Sequence, residues 1–131
     1  MSVNEILKIY LKDLILELKE LKTILELENQ EIKKEVNILN ITNPRKALIV
    51  NSINNYYITI NSWIKGQNQI QEEIEKLITE TNLLKEKICI QYQNTCKTLK
   101  ELFDQKTTIP KIQFPKNLFS YNNSISVDVK I

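Results

Sequence analysis

The longest uninterrupted helical pattern in the chain lies in residues 67–106. Ile74, Leu77, Thr81, Leu84, Ile88, Tyr92, Cys96, Leu99 and Phe103 follow one another at steps of three and four, an average of about 3.6 residues per turn. That period predicts a straight amphipathic helix with one face in a core, rather than the 3.5-residue repeat of a supercoiled seam. No proline interrupts it, and the single glycine, Gly66, stands just ahead of it. Burying such side chains contributes roughly 1.5–3 kcal/mol each, so the face requires partner helices.

The first forty residues repeat the theme with leucine. Ser2 and Glu5 have the spacing of a capping box and open a helix at once. Leu7, Leu11, Leu14, Leu18, Leu21 and Leu25 then alternate steps of four and three, and Ile32 and Leu39 extend the register while Glu28 and Glu35 interrupt it. Lys12, Asp13, Glu17, Lys19 and Glu20 supply a mixed-charge solvated flank. The pattern predicts one helix over 3–41, with Ile9, Leu16 and Ile24 widening its apolar stripe.

Thr42-Asn43-Pro44 reads as a break and a restart, with Asn43 as N-cap and Pro44 at the first helical position. The stretch after it pulls two ways. Tyr56 to Ile64 is rich in aromatic and β-branched residues, as strands are, yet Ile49, Ile53, Tyr56, Ile60 and Trp63 step by four and three. A strand would need a pairing partner and none is nearby, so the expectation is a second helix over 44–65, ended at Gly66. Beyond residue 106, Pro110 and Pro115 exclude a continued helix, and Ile125, Val127, Val129 and Ile131 alternate with polar residues as in an extended segment. The expected fold is all-α: a three-helix antiparallel bundle of long helices over residues 1–106, and an extended or flexible C-terminal tail over 107–131.

Composition narrows the function classes. The chain has 131 residues, one domain's worth, with 18 basic against 16 acidic residues and a net charge of +2. Positive charge is neither concentrated nor interleaved with aromatics, so no nucleic-acid partner is expected. Arg45 and Lys46 read as a solvated turn. No secretory leader is expected, because Glu5 and Lys8 already interrupt the N-terminus. The uncharged run 47–64 holds too many amides and hydroxyls to insert in a membrane. With no histidine and one glycine, there is no histidine base, no Cys/His zinc site and no glycine-rich phosphate loop. Cys89 and Cys96 lie seven apart, about 10 Å along a helix and out of disulfide reach. They read as small core residues of a cytoplasmic protein. No enzyme activity and no cofactor or metal is expected.

Leu83 and Ile90 lie seven apart and well off the main stripe of the third helix. Either the third helix uses both faces inside the bundle, or a partner helix docks on the second face. Here the chain resembles the flagellar export chaperones of the FlgN type. LKDLILELKELKTILELENQEIKKEVNILNI is similar to that family's leucine- and glutamate-rich opening helix. ETNLLKEKICIQYQNTCKTLKEL, with Asn82 ahead of Leu83, is similar to its third helix, and Leu118 to Asn123 to its tyrosine-containing turn. The family's glycines beside that asparagine and after that tyrosine are missing. The resemblance implies a cytoplasmic chaperone that binds C-terminal helical segments of hook–filament junction proteins, prevents their premature assembly, and delivers them to the flagellar type III export apparatus. It also implies that the client contacts are Leu83, Ile90, Tyr92, Leu99 and Phe103. The alternative is a structural coiled-coil subunit that associates, as a homodimer or with another chain, through the leucine seam Leu7–Leu25 and has no export client.

Overall fold

The computed structural model describes residues 2–67 and 69–102, and these form three helices: α1 (Val3–Glu31), α2 (Ile38–Lys65) and α3 (Glu72–Leu102). The tail expected over 107–131, with its prolines and alternating segment, and Phe103 lie outside the described residues.

α1 begins where the capping pattern places it: the Ser2 hydroxyl accepts a hydrogen bond from the Glu5 backbone N–H at 3.2 Å. The leucine seam from Leu7 to Leu25 is fully buried against both other helices. Glu28 does not end it. Glu28 and Ile32 hold the same four-three register and are as buried as the leucines.

The helix boundaries differ from the sequence expectation. α1 stops at Glu31, ten residues early, and a short turn follows in which the Glu31 carbonyl accepts from Lys34 N–H at 2.9 Å and Glu35 N–H at 2.8 Å. Leu39 therefore belongs to α2 and folds back on Ile32 instead of continuing the first helix. No proline or glycine marks this break, whereas Pro44, taken as a restart, lies inside α2. Proline at an interior position leaves the carbonyl four residues back without its helical donor. Here both Pro44 and Asn40 face solvent, where water can serve that carbonyl.

α2 runs antiparallel to α1: Glu28 faces Thr42 and Lys46, Glu20 pairs with Arg45, and the Tyr10 and Tyr56 rings pack at 6.3 Å. Tyr56 to Ile64 is helical, and α2 ends at Gly66 with an ordinary right-handed φ of −84°. α3 starts at Glu72 rather than 67 and runs parallel to α1, as Lys8–Glu73 (2.6 Å) and Lys19–Glu80 (3.8 Å) show. Its buried residues are Ile74, Ile78, Thr81, Leu84, Ile88, Thr95 and Leu99. Leu77, Tyr92 and Cys96, assigned to the stripe from sequence, are half-buried. Ile78 and Thr95 shift the inward face toward the 3.5-residue spacing of the α1 seam, which keeps two parallel helices in contact over their length.

Candidate functional site

The residues singled out from sequence fall in three different settings. Leu83 and Ile90 are 52% and 54% exposed, on the side of α3 that faces away from α1. Seven residues is close to two helical turns, so the two side chains stand one above the other about 10 Å apart. Among the described residues, neither side chain is packed into the core. Tyr92 is half-buried, and its hydroxyl is pushed up to about 12 by burial first and by its hydrogen bond with Cys96 second. It is a neutral phenol at physiological pH.

Leu99 is a correction. It is 1% exposed and packs with Ile32 and Leu39 at the end of the bundle, so it is not on the open face with Leu83 and Ile90. Its register on α3 is that of Ile74, Ile78 and Ile88, which fixes it inward. The leucine seam proposed as an association surface is a second correction. Leu7 to Leu25 are covered by α2 and α3 and have no surface left for another chain.

The face of α3 around Leu83 and Ile90 carries mixed charge, with Glu80, Glu86 and Lys87 exposed beside it and Lys85 half-buried. Burial lowers the Lys85 ammonium and raises the Cys89 thiol from their ordinary values. Cys89 and Cys96 are free thiols. Among the described residues no group of three His, Cys, Asp or Glu side chains is placed to hold a metal ion, and no helix is long and apolar enough to cross a membrane. Further exposed apolar residues occur as Ile9 and Leu16 on α1 and Ile41 and Leu48 on α2, each pair again seven apart.

Sequence reading missed a polar layer across the bundle. Glu28 and Lys46 are both fully buried, with Lys46 Nζ 2.8 Å from Glu28 Oε2 and 3.0 Å from Oε1. The Thr42 hydroxyl donates to the same carboxylate. At the same level Thr95 Oγ1 donates to Asn29 Oδ1, and Asn29 Nδ2 donates to the Gln91 side chain. The available signal was Glu28 standing in a leucine register, which requires a buried cation opposite. Lys46 was instead placed in a solvated turn. It is buried because its register on α2 is that of Leu39, Thr42, Ile49 and Ile53, which turns it inward.

No family model, no curated protein and no solved structure matches this chain.

Proposed function

We propose that the chain is a protein-binding chaperone that receives a helical client segment along the outer face of α3. The observation that carries this reading is the pair Leu83 and Ile90. They are two large apolar side chains, each about half exposed, stacked on one face of a helix whose opposite face already holds the core. A client segment disordered when free can fold as a helix against such a stripe. Tyr92, half-buried on the opposite, core-facing side of α3, does not share that stripe.

The resemblance to FlgN-type chaperones supplies the client class: the C-terminal helical ends of hook–filament junction proteins, held in the cytoplasm before export. The test is capture of such a client by the purified full chain, with its C-terminal segment as a synthetic peptide in a titration. A Leu83→Asp/Ile90→Asp variant should lose the complex while keeping its helical signal. Equal binding by both proteins would remove the α3 face as the site. Absence of binding to any junction-protein segment would remove the client class.

A further inference from the structure

The core is divided in two. The main cluster holds the leucine seam, Ile53, Ile60, Ile74 and Ile88, and a separate small cluster holds Ile32, Leu39 and Leu99, with Val36 and Ile38 packed on it. Between them lies the polar layer of Glu28, Thr42 and Lys46. Apolar packing therefore does not run continuously into the end of the bundle.

The segment that closes this end is weakly started. The first turn of α2 has N-cap Asn37 without a side-chain cap bond, and it has no acidic residue. It is wound by tight bonds of the i to i+3 type, from Ile38 N–H to Glu35 O, Leu39 N–H to Val36 O and Asn40 N–H to Asn37 O, at 2.9–3.2 Å. Six residues further on, Asn43-Pro44 has the sequence form of a strong helix start. At this point the helix surface carries a shallow depression lined by Asn40, Asn43, Pro44 and Ala47. Two starts are thus written into one helix, and the upstream one is held by Leu39 in the small cluster and by Thr42 on Glu28.

From this we infer that residues 32–43 form a lid that opens as a unit, with α2 restarting at Asn43-Pro44 and the Glu28–Lys46 pair left in place below it. Lys46 lies beyond the restart and stays in the shortened helix. Thr42 lies before it and leaves with the lid. Opening uncovers Leu99, on the inward face at the end of α3, which the closed form covers with Ile32 and Leu39. The inference stands on the packing alone, whatever client the α3 face takes.

Native-state hydrogen exchange of the full chain, read by mass spectrometry over peptides spanning 32–43 and over peptides of α1 and of Ile49–Ile60, tests it. In the unmodified protein the lid amides exchange faster, and by a separate opening, than the core amides. Thr42→Val removes the lid's bond to Glu28 and speeds lid exchange roughly tenfold. Pro44→Ala restores the Asn40 hydrogen bond and slows it by a factor of roughly ten to a hundred. The discriminating variant is Ile53→Val, because that contact is present in both the closed and the open form. It speeds the core amides by roughly fivefold and leaves the lid rate where it was. If lid and core amides exchange together in the unmodified protein, or if Ile53→Val speeds both by one factor, the bundle is a single cooperative unit and the lid does not exist. No response to Thr42→Val removes Thr42 as the latch, and no response to Pro44→Ala removes the restart.

Discussion

The Glu28 carboxylate and the Lys46 ammonium lie 2.8 Å apart, and neither side chain reaches solvent. Each was removed from water at a cost of several kcal/mol, offset by the other charge and by the Thr42 hydroxyl. Removing one partner leaves the other charge buried alone. Lys46→Met or Glu28→Leu is therefore expected to cost about 3–5 kcal/mol of unfolding free energy in urea titrations. The double variant Glu28→Leu/Lys46→Met, apolar and of similar volume, is expected within about 1–2 kcal/mol of the unmodified protein. A double variant as unstable as the sum of the singles would mean that the pair is not coupled.

Tyr57 gives the opposite sign. Its ring is 3% exposed in the main core, and its hydroxyl is buried with no hydrogen-bond partner among the described residues. An unpaired buried hydroxyl costs about 1–3 kcal/mol. Tyr57→Phe keeps the ring and removes that cost, so the variant is expected to melt several degrees higher for a domain of this size. A lower melting temperature would mean that the hydroxyl is paired in solution.

The same residue sets the alkaline limit. Burial, with a smaller contribution from Cys89, raises the Tyr57 phenol far above its ordinary value of 10.0. A group whose folded pKa is raised keeps its full contribution below the unfolded value and loses it as pH climbs past that value toward the folded one. The Tyr57 contribution is thus flat below about pH 10 and falls above it as the unfolded phenol ionises. Tyr92, pushed up to about 12, adds to the same fall. Urea midpoints measured from pH 8 to 11.5 check this, with Tyr57→Phe giving the shallower slope.

Much of this fold can be read from spacing, and the failures have one cause. Leu7 to Leu25 announce their burial because every residue in register is apolar, and Ser2–Glu5 announce the start of α1 because capping is local. The break at 32–37 carries no local mark. It is set by Leu39 folding back on Ile32 and Leu99 and by Glu28 reaching Thr42 and Lys46, which are contacts between helices. Pro44 misled for the complementary reason, because its local preference is outweighed by packing on either side of it. On α3, Leu83 and Ile90 were legible as off-stripe residues and Leu99 as part of the core stripe, and it was the family resemblance, not the spacing, that set Leu99 among the client contacts.

The exposure difference between the α3 face and the seam yields a contrast in stability that needs no client. Leu83 and Ile90 each keep about half of their surface in water, so replacing them removes little burial and adds charge to a face that already carries Glu80, Glu86 and Lys87. Leu83→Asp/Ile90→Asp is expected within about 1 kcal/mol of the unmodified protein, since surface substitutions away from special features fall near ±0.5 kcal/mol each. Leu18 is 0% exposed in the middle of the seam, and Leu18→Ala is expected to cost about 2–5 kcal/mol through lost transfer energy and the cavity left behind. Urea unfolding of the two variants side by side decides the matter. A double Asp variant as damaging as Leu18→Ala would mean that the α3 face is covered in the folded chain, and that its apolar pair holds the bundle together.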